Sequence, residues 1–535
     1  MRYHLLLSAL GLALGAVVKA QQEQIVVGYY PSWKKDKIDG MDLSQYTHIN
    51  LAFAIPDATG EFTFEGQAFV KDVVADLHAK GTKALLSVGG WTGSIYISDI
   101  LLDKDTRQTF MDSMVSYIKD NDLDGIDIDW EFPGHLRGND CNNINAEKDT
   151  PNFLEFLTDL RAALDTTFTD EKKLITMAVR VEPFDVNGAP STDVSEFAKV
   201  VDFANIMQYD INGAWNDLTG PNAPFNFEEG KGMQASFVSA IDAWTKAGWP
   251  AKQLTAGIGF YGRATIADVD MTDDPENQYQ KQTNDVPQGD KEDLEWKDPC
   301  TGKMGHSGVW QWKHLRNEKV LTDPATAGTS WVRTWDDVSK TPWLFNPTTK
   351  QFISYDDPKS IKVKMDYAAS MGLAGAMVWS IEMDYEGELL KAVKNWKSST
   401  PPLSNGGGDK PEKKEPTEKT PEDEENEDEA NPPGDGNPEG GDNPPGDGNP
   451  QGGDNPPGGG NPEPDNTPLN NPAFVKPVAG GACTTNGQLE CADETGTTTA
   501  YMVCVNDKWV EMRCGDGTAC LRIDGSITCG WPSKR

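Results

Sequence analysis

The run Asp124-Gly125-Ile126-Asp127-Ile128-Asp129-Trp130-Glu131 crowds four carboxylates into one short stretch. Read as a β-strand, its side chains alternate between two faces. Asp127, Asp129 and Glu131 then share one face, and Ile126, Ile128 and Trp130 the other. Same-face neighbours sit about 6 to 7 Å apart, so their ionisations are coupled and at least one proton is expected to stay bound near neutral pH. A proton held beside ionised neighbours is what a general acid requires. The residues alone leave two other readings. One is a solvated acidic edge strand, against which the isoleucines and Trp130 argue for a buried back face. The other is a hard-cation site built from three oxygen ligands, suited to magnesium or calcium.

Such a strand needs a frame. From Gln24 to Trp396 apolar runs alternate with longer helical patterns, the βα rhythm of a parallel sheet. Strands are expected at Ile25–Tyr30, His48–Ala54, Ala84–Gly89, Gly125–Glu131, Ile175–Arg180, Phe203–Tyr209, Thr255–Tyr261 and Gly375–Ser380. Helical spacing is plainest in Phe69–Lys80, Arg107–Lys119, Phe153–Leu164, Met233–Ala247 and Ile361–Met371. The pattern fits an α/β fold of the TIM (β/α)8 barrel type with an insertion. An open doubly wound sheet is the alternative, but no Gly-rich dinucleotide fingerprint follows the first strand. In a barrel, chemistry gathers at the C-terminal ends of the strands. Those ends read Gly28-Tyr29-Tyr30-Pro31-Ser32-Trp33, Ser87-Val88-Gly89-Gly90-Trp91, Glu131, Met207-Gln208-Tyr209-Asp210 and Met377-Val378-Trp379-Ser380. Each carries polar or aromatic groups suited to a sugar, which offers hydroxyls to hydrogen-bond and apolar faces to stack on rings.

The stretch DGIDIDWE resembles the DxxDxDxE signature of glycoside hydrolase family 18, the chitinases, and the resemblance runs from about Gln24 to about Trp396. It extends to SxGG at Ser87–Gly90, MxYD at Met207–Asp210, Phe260-Tyr261-Gly262-Arg263 and Trp379. The resemblance implies Glu131 as the acid/base, Asp129 as its switching partner and Asp127 as third member of the relay, with Tyr209 and Asp210 holding the substrate's N-acetyl group. Trp379 would floor the subsite of the cleaved sugar and Trp91 the next, beside Gly90. Tyr29, Phe53, Met207, Tyr261 and Arg263 would line the cleft. It also implies substrate-assisted retention, in which the 2-acetamido carbonyl replaces a second carboxylate nucleophile. No cofactor and no metal are then needed. None of the four signature acids is replaced, so the non-hydrolytic lectin branch of the family is not supported.

The rest of the chain sets the context. Net charge is −36, much of it between residues 401 and 470, which argues against nucleic acid as a partner. Arg2, the apolar run Leu5–Val18 and Val18-Lys19-Ala20 read as a secretory leader spanning residues 1–20, short for a membrane span. No lipid-anchor tail is seen, and secretion makes disulfides permissible. The catalytic barrel is placed at 21–400, with an insertion at about 264–354 that is too long for a βα loop. Its aromatics (Tyr279, Trp296, Trp310, Trp312, Trp331, Trp335, Trp343, Phe345) suit both core packing and a cleft wall. The insertion resembles the small α+β insertion of many family members, which implies a deep, tunnel-like groove. Cys141 and Cys300 are candidates for a pair above the barrel, which geometry must decide.

Residues 401–475, with a twelve-residue Asn/Pro/Gly/Asp repeat from Asn431, lack the apolar groups to build a core and read as a disordered spacer. Residues 476–535 hold Cys483, Cys491, Cys504, Cys514, Cys520 and Cys529, a three-disulfide pattern without His or CxxC for zinc. This segment resembles family 19 carbohydrate-binding modules, with Tyr501, Trp509 and Trp531 as stacking residues. Together these readings describe a secreted, extracellular or wall-associated, monomeric chitinase acting on β-1,4-linked N-acetylglucosamine. The alternatives are an endo-β-N-acetylglucosaminidase acting on N-glycans and a non-catalytic chitin-binding wall protein.

Overall fold

The computed structural model describes residues 24–135, 143–298 and 302–396, together with the strands at 489–491, 500–505, 508–513, 519–523 and 526–530. The leader, the linker, Cys141, Cys300, Cys483, Cys514 and Trp531 lie outside the described residues, as do the side chains of Tyr501, Cys504, Cys520 and Cys529. The chain divides into two units, Met1–Glu412 and Lys413–Arg535.

In the first unit eight parallel strands close on themselves. They are β1 (Ile25–Pro31), β2 (His48–Pro56), β3 (Lys83–Gly89), β4 (Gly125–Asp129), β5 (Leu174–Val179), β6 (Phe203–Ile206), β7 (Leu254–Gly259) and β8 (Gly375–Trp379). Each pairs with the next, and β1 pairs with both β2 and β8, which closes the TIM barrel. Their starts match the sequence expectation to within a residue. Two ends do not. The expected sixth strand ran to Tyr209, but the chain leaves the sheet after Ile206, and Gln208 turns to bond Phe237 O and Gly257 N instead. The expected seventh ran to Tyr261, yet β7 stops at Gly259 and Tyr261 opens a different sheet.

Helices α1 (Val70–Ala79), α2 (Lys104–Asn121), α3 (Asp149–Thr167), α4 (Phe237–Lys246) and α5 (Pro358–Ser370) fill the outer layer. Capping sets their starts. Asp103 accepts the amides of Asp105 and Thr106, so α2 begins before Arg107; Ser236 and Asp357 form capping boxes for α4 and α5. The outward faces of the strands (Ile126, Ile128, Trp130) pack with Phe110, Phe153, Phe156 and Leu160 in the main core. Fully burying such side chains stabilises by roughly 1.5–3 kcal/mol each. The barrel interior is different: Val27, Tyr29, Ala52, Phe203 and Met377 form a small apolar cluster beside Phe53, Met207, Tyr209 and Trp379.

Between β7 and β8 a five-stranded antiparallel sheet runs in the order Val309–Gln311, Tyr261–Ile266, Gln351–Ser354, Pro342–Asn346, Val332–Trp335, with a helix at Trp312–Asn317. Trp312, Trp343 and Phe345 are core residues there, whereas Trp296 is exposed. In the C-terminal unit Leu489–Cys491, Ala500–Val505 and Lys508–Arg513 form one antiparallel sheet, and Ala519–Ile523 with Ser526–Gly530 a hairpin. Cys491 is disulfide-bonded, Met502 is buried, and Trp509 is partly exposed opposite Cys504.

Candidate active site

The strand β4 places Asp127 and Asp129 on its inward face, one fully enclosed and the other 3% exposed. Asp127 is held by donors from four other strands. Its Oδ2 accepts from the hydroxyls of Tyr29 (2.8 Å) and Ser87 (2.7 Å), and its Oδ1 from the hydroxyl of Thr176 (2.6 Å). The Asn205 amide lies 3.4 Å from Oδ1, and Asn205 in turn accepts from Thr255 at 2.6 Å. Burial pushes the Asp127 carboxyl above its ordinary range, while the surrounding hydroxyls pull the other way. Asp124, the first acid of the run, does other work. It accepts from Ala84 N (2.7 Å), contacts His78 Nε2 (2.9 Å), and fastens the N-terminal end of β4 to its neighbours.

Glu131 lies just past the end of β4, half-buried, and follows Trp130 out of the core. Its backbone N–H donates to Ser94 Oγ at 3.0 Å, and that hydroxyl donates to Gly90 O at 2.9 Å, with Asp129 O at 3.3 Å. Ser94 is fully buried, so one hydroxyl ties the end of β4 to the turn after β3. That turn needs glycine: Gly90 has φ +81°, and a Cβ there would meet the Phe53 ring at 2.8 Å. Non-proline cis peptides occur at Ala52-Phe53 within β2, at Glu131-Phe132 just past β4 and at Trp379-Ser380 at the end of β8.

The aromatic groups converge on the same mouth. Trp379 stacks on Phe53 at 5.6 Å, and Tyr29 meets Trp379 at 5.5 Å. Trp33 and Trp91 are 46% and 55% exposed, with the Trp33 ring 6.1 Å from Phe53. Tyr209, whose hydroxyl reaches Met377 Sδ at 3.7 Å, has its phenol held well above the usual range. Burial is the main cause, followed by the negative charges of Asp129, Asp210, Glu131 and Asp127. Tyr209 therefore stays protonated and available as a donor. Asp210 adopts φ +57° and receives a two-pronged grip from Arg263, Nε to Oδ1 and Nη2 to Oδ2, both at 2.7 Å. Arg263 Nη1 continues to Ser307 O at 2.9 Å, and its guanidinium lies 5.5 Å from both Trp215 and Tyr261. Tyr261 and Arg263 therefore enter the site from the insertion's sheet, not from β7.

Tyr29, Phe53, Gly90, Asp127, Asp129, Glu131, Tyr209, Asp210 and Trp379 thus meet at one end of the barrel, joined there by Arg263, whereas Asp124 lies at the other end. Sequence reasoning missed Thr176, Asn205, Ser94 and Trp215. Only a strand-by-strand count of inward polar positions would have found the first two. Among the described residues no group of three or more His, Cys, Asp or Glu is arranged to hold a metal ion.

A closed parallel barrel with buried and half-buried carboxylates at its C-terminal mouth, ringed by tryptophan and tyrosine, is the architecture of a carbohydrate-active barrel. The chain belongs to glycosyl hydrolases family 18, whose model matches residues 25–384, and residues 470–524 match the carbohydrate binding domain of family 19. A chitinase-like effector of Moniliophthora roreri is 36% identical, covering 73% of this chain and 96% of its own length. Among solved structures, the Rhizomucor miehei chitinase RmChi1 is similar with a TM-score of 0.65 and 35% identity, covering 70% of this chain and 99% of that one. An Ostrinia furnacalis Group IV chitinase in complex with allosamidin gives a TM-score of 0.58 at 26% identity, covering 70% of this chain and 98% of that one.

Proposed function

We propose that this protein is a secreted chitinase that cleaves β-1,4 linkages between N-acetylglucosamine units with retention of configuration. The observation that carries the reading is the arrangement on β4: Asp127 enclosed and hydrogen-bonded, Asp129 above it, and Glu131 at the open mouth beside the protonated Tyr209. In the first step the substrate's acetamide oxygen bonds to the anomeric carbon as the glycosidic C–O bond breaks, and Glu131 gives its proton to the leaving oxygen. Asp129 accepts the acetamide N–H and stabilises the positive oxazolinium ion. Tyr209 donates to the acetamide oxygen, and the Asp210–Arg263 pair fixes the far side of the pocket. Water then attacks the anomeric carbon, yields a proton to Glu131, and releases the acetamide with the β-configuration restored. Trp379 gives the reacting sugar an apolar floor, itself braced by Phe53.

The carbohydrate binding domain holds the enzyme on insoluble polymer by raising its local concentration. The leader supports export, and the enzyme works as a monomer. A purely chitin-binding role is disfavoured by the intact Asp127, Asp129 and Glu131. Glu131→Gln is the decisive test. It should leave the unfolding transition nearly unchanged and lower kcat on chito-oligosaccharides by 10²–10⁴-fold, the usual contribution of a positioned acid/base. A variant within a few-fold of wild type, or an α-anomeric product by NMR, overturns the assignment.

A further inference from the structure

The far side of the acetamide pocket is built by two side chains from different parts of the fold. Asp210 follows the end of β6 in the barrel, and Arg263 lies on the insertion strand Tyr261–Ile266. The reaction described above uses their ion pair, but not what sets the two segments against each other. Asp210 is not placed by its own strand, because the chain leaves the sheet after Ile206. Its backbone is left-handed, φ +57°, a conformation that residues other than glycine adopt at a cost. Neighbouring groups hold it there.

Two buried side-chain amides flank it. Before Asp210, the enclosed Gln208 donates from Nε2 to Phe237 O at 2.8 Å and accepts the Gly257 N–H at 3.1 Å. Beyond it the chain turns back to Asn222, which is 1% exposed. Asn222 Oδ1 accepts the Asp210 N–H at 3.0 Å, and its backbone O accepts the Ile211 N–H at 2.9 Å. Asn222 also reaches the insertion. Its own N–H donates to Ser354 Oγ at 2.6 Å. Ser354 is buried at the end of the strand Gln351–Ser354, directly opposite Arg263 in the antiparallel register. That strand pair has little play, since a Cβ on Gly262 would meet Ser354 O at 2.5 Å. The contacts close a ring. The Asp210 carboxylate holds the Arg263 guanidinium, Arg263 lies across the strand pair from Ser354, Ser354 takes the Asn222 N–H, and Asn222 takes the Asp210 N–H.

Resting on the chitinase reading, we infer that Asn222 and Ser354 are positioning residues for the acetamide pocket, fixing the Asp210 carboxylate through its backbone and registering it against Arg263. The insertion then serves bond breaking without touching the sugar at these two positions, because the acetamide is the nucleophile and its oxygen must be aligned with the anomeric carbon. The test uses the full-length chain and chitotetraose. Asn222→Ala removes the acceptor of the Asp210 N–H, and Ser354→Ala, on a different element, removes the acceptor of the Asn222 N–H. Each should lower kcat about tenfold with KM changed less than about threefold. In an Asp210→Ala background no carboxylate remains to be positioned, so there each substitution should cost less than about twofold. A bond that only supports the fold predicts the same loss in both backgrounds. Denaturant unfolding of each preparation gives the folded fraction, and either variant that folds decides the question. Wild-type kcat in a folded variant, or an undiminished loss in the Asp210→Ala background, overturns the inference. A wild type that hydrolyses no N-acetylglucosamine oligomer would remove the chitinase reading instead. A crystal structure of Asn222→Ala or Ser354→Ala still judges the ring: Asp210 should leave its left-handed conformation and lose the two-pronged bond to Arg263, and an unchanged Asp210 overturns it.

Discussion

Ser94 provides the sharpest test of how the acid is held in place. Its hydroxyl accepts the Glu131 N–H at 3.0 Å and donates to Gly90 O at 2.9 Å, and it is fully buried. Ser94→Ala removes one acceptor and one donor from a site that water does not reach. A buried polar group deprived of its partner costs about 1–3 kcal/mol, so two such losses, partly relaxed, should destabilise the barrel by about 2–4 kcal/mol. The effect on catalysis has a separate origin. Ser94 touches no sugar, but the peptide it anchors sets where the Glu131 carboxyl stands. A displacement of about 1 Å at a reacting group costs on the order of 10²-fold in rate. Steady-state kinetics on a soluble chito-oligosaccharide should therefore show kcat down by roughly 10- to 100-fold with KM nearly unchanged, while Ser94→Thr, which keeps the hydroxyl, recovers much of the rate. Denaturant unfolding on the same preparations separates lost enzyme from slow enzyme. A folded Ser94→Ala protein with wild-type kcat, or a loss entirely in KM, would refute the view that this hydroxyl positions the acid.

Two other expectations follow from the structure and the domain matches. His48, 9% exposed at the N-terminal end of β2, has its imidazole lowered to about 4 by burial and by Lys83, with Asp124 and Asp202 opposing. The unfolded chain then binds the extra proton first as pH falls from about 6.5 to 4, so this group withdraws about 3 kcal/mol of stability across that window; unfolding curves against pH should show the loss, and His48→Gln should flatten it. Removing residues 401–535 should leave kcat/KM on soluble oligomers unchanged but reduce release of sugar from particulate chitin several-fold at low substrate loading, as measured by reducing ends.

The barrel was legible because each of its strands is a short apolar run bounded by turn residues, and the positions of β1 to β8 follow from that pattern alone. The errors sit where the pattern is silent. Tyr261 is as apolar as the strand before it, yet it pairs antiparallel with Gln311, a partner fifty residues away that no local signal announces. The acids were legible from their spacing on one strand, but their supports were not. Tyr29, Ser87, Thr176 and Asn205 reach Asp127 from β1, β3, β5 and β6, and each looks in isolation like an ordinary strand residue.

The polar layer inside the barrel also explains why stability and activity pull apart here. A barrel interior is ordinarily filled by branched apolar side chains, but this one places Ser87, Asp127, Thr176, Asn205 and Thr255 at adjacent positions and buries all five. Satisfied hydrogen bonds keep the layer tolerable, yet an ionised Asp127 remains costly because burial raises its affinity for a proton. The sign is opposite to that of His48. Between the ordinary carboxylate value near 3.9 and the raised native value, the folded protein binds more protons than the unfolded chain, so stability falls as pH rises through that window. One buried group thus penalises acid and the other penalises its own ionisation. Only the imidazole can be replaced without disturbing this layer, because Asp127 is what Tyr29, Ser87 and Thr176 are organised around, two positions before Asp129 on the same face of β4.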